Sequence, residues 1–172
     1  MSREQFQIRR ATRDDAEVFL DLIDAHAAFE DMDPPDEEAK RRLIHDGFER
    51  PAPKYRAYIA SYEGRDVGYA FTYEAYSSFL ALPTFYLEDI FVYKEMRSKG
   101  FGGAMFQYLV EEAVRRGCGR MEWMVVDWNE NAIGFYERRG AIQLSEWHSY
   151  RLERDRLEEL AEAGRQRTPG ER

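Results

Sequence analysis

Arg97-Ser98-Lys99-Gly100-Phe101-Gly102-Gly103 is the stretch of this 172-residue chain whose residue types are best suited to holding a ligand. It follows an apolar, β-rich run over residues 85–92 and opens a helical pattern over residues 104–116. A strand, a glycine-rich turn and a helix in that order build an anion site. Glycine lets backbone approach a pyrophosphate with no Cβ in the way, and the unpaired N–H groups and positive dipole end of the helix hold the negative charge. The glycines do not have the G-x-x-x-x-G-K-[ST] spacing of a phosphate-binding loop or the G-x-G-x-x-G of a dinucleotide fold. A second constellation lies downstream in Asn129, Tyr136 and Gly140. Asn129 suits the N-cap of a helix over residues 130–139, and Gly140 suits the position just past its end. Neither role accounts for Tyr136, a phenol that serves equally as a proton donor or as core packing. Glu88 is the third chemical candidate. Strand alternation places it on one face with Tyr86 and Ile90, an unusual setting for a carboxylate meant only for solvent.

The elements that must position these residues follow from periodicity and punctuation. Residues 6–10 alternate as a short strand. Thr12 with Asp15 starts a capping-box-like turn, and residues 16–29 carry a helical stripe at Val18, Leu22, Ala25 and Phe29. After Pro34-Pro35, Asp36 caps a second helix reaching about Phe48, which Pro51 and Pro53 end. Residues 55–62 and 67–76 are β-rich, and Glu63-Gly64-Arg65-Asp66 between them is a hairpin signal. Residues 85–93 form the next strand, then come the glycine loop and a long helix. A strand over 121–126, a helix, and two short strands at about 142–144 and 148–152 complete the sheet. Residues 154–163 read as helical. The chain is expected to form one domain over residues 1–164, with 165–172 as a disordered tail.

Composition narrows the class. The chain is 44% hydrophobic and 15% aromatic, enough for one core. No apolar run approaches the ~18 residues of a membrane helix, and residues 1–6 lack the apolar segment of a secretory signal. The one cysteine, Cys118, fits a reducing, cytoplasmic setting and reads as a small buried residue. With His26, His45 and His148 widely scattered, no metal-ligand spacing emerges, so no metal is expected. A net charge of −8 argues against nucleic-acid binding and suits a cationic substrate. The run Glu30, Asp31, Asp33, Asp36, Glu37, Glu38 is either a solvated loop or an acidic flank that draws amines inward.

The pattern Arg97-x-x-Gly100-x-Gly102 after a strand, coupled with Asn129-x(6)-Tyr136-x(3)-Gly140, resembles the GNAT N-acetyltransferases over nearly all of the chain. The resemblance implies an α/β (α+β) fold: a mixed sheet of about seven strands with a splayed parallel pair, flanked by about four helices. It implies acetyl-CoA as cofactor, its pyrophosphate on the loop and its pantetheine arm in the splay. Tyr86-Leu-Glu-Asp-Ile-Phe-Val92, Asp127-Trp-Asn129 and Phe135-Tyr-Glu-Arg-Arg-Gly-Ala141 resemble the spermidine/spermine and thialysine N-acetyltransferases, and Leu22-Ile23, Phe29-Glu30 and Asp46-Gly-Phe48 run in register with them. Ser145-Glu-Trp-His-Ser-Tyr150, with His148 and Tyr150 at the comparable positions, departs from the longer acidic-Gly-Trp segment of the polyamine branch, and the pairing of Leu87-Glu-Asp-Ile90 with Asp127-Trp-Asn129 leans toward the thialysine-type relatives, so both branches stay open.

Residue by residue, the resemblance implies Glu88 as acceptor of the amine proton, through water, and Tyr136 as proton donor to the leaving thiolate. It places the cofactor on Ile90, Phe91, Val92, Arg97, Ser98, Lys99, Gly100, Phe101, Gly102, Gly103, Asn129, Ala132, Tyr136 and Arg139. It places the amine near Phe29, Glu30, Glu88, Met124, His148 and Tyr150. The implied protein is a homodimer that transfers acetyl directly to a small cationic amine. Acetylation of protein lysines or N-termini, and non-catalytic acetyl-CoA binding, stay open as alternatives. The chemistry needs such groups: an alkylammonium with a pKa near ~10.4 must lose a proton before it attacks.

Overall fold

The computed structural model describes residues 5–97 and 99–166, in two compact units, Met1–Met124 and Val125–Arg172. The first unit is a sheet in the order β1-β2-β3-β4-β5. Its strands are β1 (Phe6–Arg10), β2 (Arg56–Tyr62), β3 (Arg65–Ser77), β4 (Leu82–Val92) and β5 (Arg120–Glu122). Neighbours are antiparallel except β4 and β5, which run parallel. The β2–β3 turn takes positive φ at both Glu63 (50°) and Gly64 (77°), the backbone that a tight right-twisted hairpin needs.

Helix α1 (Ala16–Phe29) lies against one face. Thr12 and Asp15 form the expected reciprocal cap just before it. Of the expected stripe, Leu22 is buried and Val18 and Ala25 are half-buried against the core with Ile23, while Phe29 is exposed and Phe19 is the large buried residue that periodicity left out. Phe19 packs among Tyr55, Tyr69 and Phe71, with ring centroids 5.6–6.3 Å away. Asp36 caps α2 (Glu37–Ile44) through Ala39 N–H at 2.7 Å, and a wider π-helical turn carries the chain on through His45–Glu49. The other face belongs to α3 (Phe101–Arg115), which buries Phe101, Met105 and Leu109 almost completely. There the Phe101 ring stacks on Phe6 at 4.5 Å, and Tyr58 donates to Glu112 at 3.2 Å. Burying so many large side chains on both faces, at about 1.5–3 kcal/mol each, holds the sheet rigid under the loop that joins β4 to α3.

The second unit contains α4 (Glu130–Glu137) and α5 (Arg154–Gln166). Asn129 caps α4, accepting Ala132 N–H at 3.1 Å. Gly140, with φ of 85°, closes its C-terminal turn through Gly140 N–H to Glu137 O at 2.9 Å and Ala141 N–H to Tyr136 O at 3.2 Å.

Several expectations need correction. Among the described residues the sheet has five strands rather than about seven, and the helices number five rather than four. The strand expected over 121–126 pairs only at Arg120–Glu122. Residues 142–144 and 148–152 form no strand, because the unit that holds them has no described strand to pair with. Helix α5 takes in residues 165 and 166 of the expected tail, and residues 167–172 lie outside the described residues.

Candidate active site

The glycine loop is built by the end of β4 and the start of α3. After Val92, a single 3-10 turn, Lys94–Met96, redirects the chain, with Met96 N–H bonded to Tyr93 O at 2.9 Å. Gly100 then takes φ of 87° as the residue before α3, a conformation that a Cβ penalises. It offers no side-chain cap, and the first bond of the helix is Ala104 N–H to Gly100 O at 3.0 Å. The N–H groups of Phe101, Gly102 and Gly103 therefore have no partner inside the helix and sit at its positive end. At Gly102 nothing lies within 4 Å of where a Cβ would stand.

Arg97 is turned to the protein. Its Nε donates to Val92 O at 2.9 Å, and its guanidinium lies 3.9 Å over the Phe29 ring. It pins the loop to the end of β4 and to α1, which leaves anion binding to backbone. Lys99 Nζ lies 3.6 Å from Met96 S. Ser98 lies outside the described residues.

On β4 the register breaks beside Glu88. Thr72 pairs with Leu87 and Phe71 with Asp89, so Glu88 is the extra residue of a bulge. The alternation that put Glu88 on a face with Ile90 fails for this reason. The bulge turns two consecutive carboxylates toward the α1 face. Glu88 is exposed, and its charge, second to burial, pushes up the phenols of Tyr73 and Tyr86, whose rings stack at 4.7 Å. Asp89 is drawn inward, where Tyr69 donates to its Oδ2 at 3.3 Å. Burial raises its carboxyl above the usual range, and the neighbouring His26 opposes the rise.

His26 sits at the centre of this cluster. Its Nδ1 is 2.9 Å from Tyr69 Oη and 3.9 Å from Asp89 Oδ1, and its Nε2 is 3.3 Å from Glu30 Oε1. Its ring stacks on Phe91 at 5.1 Å. Phe29, Glu30, Phe91 and Arg97 are thus brought to one neighbourhood with the bulge. Ile90 is half-buried and Val92 buried. A cleft of about 530 Å³ opens on the same face, lined by Leu43, Asp46, Lys54, Tyr55, Phe71 and Tyr73 among others. The β4–β5 ladder stops at Tyr86↔Glu122, so among the described residues Leu87–Val92 have no strand on that edge. Val92 O is taken by Arg97, and backbone on that edge that no strand pairs can bond a ligand's amides.

Sequence reasoning passed over His26, Tyr69 and Asp89. His26 stands seven residues after Phe19 and four after Leu22, which is the spacing of the buried stripe and the one signal that could have found it.

In the second unit, Tyr136 is 8% exposed, and burial pushes its phenol up to about 12. Arg139 donates to Phe135 O at 2.9 Å and lays its guanidinium 3.6 Å over the Phe135 ring. Ala132 is held by the Asn129 cap. His148 and Tyr150 are exposed, as is Met124 at the end of the first unit.

Residues 17–141 match the family model described as the acetyltransferase (GNAT) family. The chain is 45% identical over 93 residues to L-ornithine N5-acetyltransferase NATA1 of Arabidopsis thaliana, a match covering 54% of this chain and 41% of that one. It is 34% identical over 170 residues to spermidine/spermine N(1)-acetyltransferase-like protein 1 of Homo sapiens, covering 93% of this chain but only 24% of the human one. To the thialysine N-epsilon-acetyltransferase of Bos taurus it is 33% identical over 165 residues, covering 90% and 96%. The fold matches the crystal structure of a probable acetyltransferase with a TM-score of 0.75 at 24% identity, over 86% and 97% of the two chains. With a family model spanning most of its length and a relative of similar size covered almost end to end, the chain belongs to the GNAT acetyltransferases.

Proposed function

We propose that the protein acetylates the primary amine of a small cationic acceptor, a diamine, polyamine or ornithine-, lysine- or thialysine-like amino acid, with acetyl-CoA as donor. The observation that carries this reading is the bulge that sets Glu88 and Asp89 side by side next to the Tyr69 ring and the stacked rings of Tyr73 and Tyr86, an arrangement suited to an alkylammonium. Relatives named for ornithine, thialysine and spermidine/spermine support the same class.

The residues present fit the cofactor. The open space over Gly102 and the first-turn N–H groups of Phe101, Gly102 and Gly103, which no residue of the helix accepts, would hold its pyrophosphate, and the edge of β4 at Ile90, Phe91 and Val92, where no described strand pairs, would take its amide arm. Bound there, acetyl-CoA supplies an activated thioester. Glu88, exposed at the bulge, accepts the proton of the acceptor ammonium through water. Tyr136, its phenol kept protonated by burial, is the proton donor to the thiolate. Phe29, Glu30, Met124, His148 and Tyr150 remain the proposed acceptor contacts. A second copy of the chain would cover the exposed Ile142, Trp147 and Tyr150, in keeping with a homodimer.

The test is thiol release from acetyl-CoA across polyamines, ornithine, lysine, thialysine and lysine-containing peptides. Turnover of small amines at millimolar concentration is expected. Acetylation of peptides alone would refute the acceptor class and leave a protein acetyltransferase.

A further inference from the structure

Acetylation of an alkylammonium by a thioester yields an amide, a thiol and one proton that must leave the site in every turnover. Nothing is oxidised or reduced. The cluster behind Glu88 has the connectivity to carry that proton. Asp89, Tyr69, His26 and Glu30 follow one another at 3.3, 2.9 and 3.3 Å, from the bulge on β4 to the C-terminal end of α1. The row meets solvent at both ends: the Asp89 side chain is 33% exposed and that of Glu30 28%, with His26 at 15% between them.

Tyr69 has one hydroxyl proton and two neighbours able to accept it, Asp89 Oδ2 and His26 Nδ1. When His26 is neutral with its Nε2–H toward Glu30, Nδ1 accepts from Tyr69 and the Asp89 oxygen goes without that bond. When His26 carries both protons, Nδ1–H donates to Tyr69, Tyr69 donates to Asp89, and Nε2–H donates to Glu30. Every donor and acceptor along the chain is then matched. The hydroxyl therefore has two positions, and the protonation of His26 selects between them.

We propose that Tyr69 and His26 form a relay that takes the acceptor's proton from Asp89 to Glu30, with Glu30 as its outer, solvent-exchanging member. This rests on the amine-acetylation reading above. Glu88 takes the ammonium proton through water and passes it to the adjacent Asp89, where an O–H bond forms as the one on Glu88 breaks. That proton passes to the Tyr69 oxygen while the original hydroxyl proton moves to His26 Nδ1. Loss of the Nε2 proton from the imidazolium to Glu30 and water leaves the ring neutral with its proton on Nδ1, and exchange with water moves that proton to Nε2 before the next turnover. Burial, which raises the Asp89 carboxyl, makes it the more willing acceptor. The groups facing His26 are Glu30 on its own helix, Tyr69 on β3 and Asp89 on β4. Glu88 is near enough to act on Tyr69, and the Arg97 guanidinium stands 5.7 Å from the centroid of the Phe91 ring on which His26 stacks.

The test uses His26→Gln, which can still hydrogen-bond but not carry a proton, and Tyr69→Phe, which removes only the hydroxyl. Both are assayed in the full chain by thiol release with thialysine and with a diamine across pH, with and without added imidazole. Acetyl-CoA affinity and melting temperature are measured alongside. The relay predicts at least a tenfold loss of kcat near neutral pH in each variant, with acetyl-CoA affinity unchanged. It also predicts partial recovery of His26→Gln with imidazole and with rising pH. A wild-type pH–rate profile in either variant overturns it, and so does a uniform loss that neither imidazole nor pH relieves, since that marks packing. If the wild-type chain acetylates no small amine, the acceptor reading fails on its own. NMR titration of the His26 imidazole in the resting protein then decides the relay: a midpoint moved by Tyr69→Phe and by Asp89→Asn upholds it, and an unmoved midpoint overturns it.

Discussion

Gly102→Val separates the role of the glycine loop in folding from its role in binding. Nothing lies within 4 Å of the Cβ position at Gly102, and its φ is not in the left-handed region, so valine meets neither a clash nor backbone strain. Valine is a few tenths of a kcal/mol better than glycine inside a helix. The ligand-free variant is therefore expected to melt within about 2 °C of wild type. Binding is a different matter. The valine methyls stand in the space through which a pyrophosphate must approach the first-turn N–H groups. Each charge-assisted hydrogen bond lost there costs roughly 1.5–3 kcal/mol, about ten- to a hundredfold in affinity. Gly100→Ala is the matched control. Its surroundings are also empty, but φ is 87°, so alanine adds about 1–2 kcal/mol of backbone strain. That corresponds to a drop of several degrees in melting temperature without cofactor. Calorimetry with acetyl-CoA and thermal melts of both variants give the answer. A folded Gly102→Val chain with wild-type affinity would show that the loop does not hold the cofactor. A Gly102→Val chain that melts as low as Gly100→Ala would show that the space over Gly102 is not open.

Tyr136→Phe keeps the buried ring and removes the proton donor, so kcat should fall by roughly 10²–10⁴ with acetyl-CoA affinity little changed, and equal turnover would leave Tyr136 as packing. Because burial pushes this phenol up to about 12, it stays protonated through neutral and mildly alkaline pH, and no alkaline limb of the rate profile below pH 10 should vanish in the variant. Glu88→Gln should lose most rate near neutral pH and recover partly as pH rises and solvent takes the ammonium proton; a wild-type profile would place the base elsewhere. Asp15→Asn tests the fold: Arg9 grips the Asp15 carboxylate at 2.6 and 2.7 Å and, as the largest cause, holds its pKa at about 2. A depressed carboxyl stabilises the folded chain above its unfolded pKa of 3.8 and loses that contribution as pH falls toward 2, so the variant should melt about 2–4 °C lower at pH 7 and match wild type near pH 2. The partly exposed Arg9 limits this to roughly 1 kcal/mol, and equal melting at pH 7 would sink the assignment. Finally, KM for a diamine should rise with ionic strength more steeply than KM for a monoamine, and parallel slopes would argue against an acidic acceptor site.

Local signals in the sequence led to much of this structure. Residues 16–29 formed the helix that their periodicity required, because a cap, an apolar stripe and a following turn all agreed. The glycine loop fell between strand and helix as its spacing demanded, and Asn129 and Gly140 closed α4 as their side chains allow. The features missed were those that depend on a partner far along the chain. The bulge at Glu88 exists only in the register of β4 against β3, fifteen to eighteen residues away at Thr72↔Leu87 and Phe71↔Asp89, and no run of alternating residues within β4 reveals it. His26 read as a scattered histidine because its meaning comes from Tyr69 and Asp89 across the sheet. Residues 142–144 and 148–152 have strand-like composition, but a strand needs a ladder partner, and composition does not supply one.

The bulge itself follows from a conflict in the segment Leu87-Glu88-Asp89. Leu87 pairs with Thr72 on the face opposite the Tyr55–Phe71 stack and is 1% exposed. In an unbroken strand Asp89 would share that face and meet the apolar side chains around α3. A carboxylate buried there without a partner costs several kcal/mol, whereas one interrupted ladder bond costs about 1 kcal/mol. The extra residue reverses the parity after Leu87, so Asp89 reaches Tyr69 and His26 while Phe91 still stacks under α1. Glu88, the residue that absorbs the slip, is left at the surface of the same face. Two adjacent acids thus acquire different surroundings, Glu88 exposed and Asp89 half-buried against Tyr69 and His26. Such splitting lets neighbouring carboxylates take different proton-transfer roles at one pH.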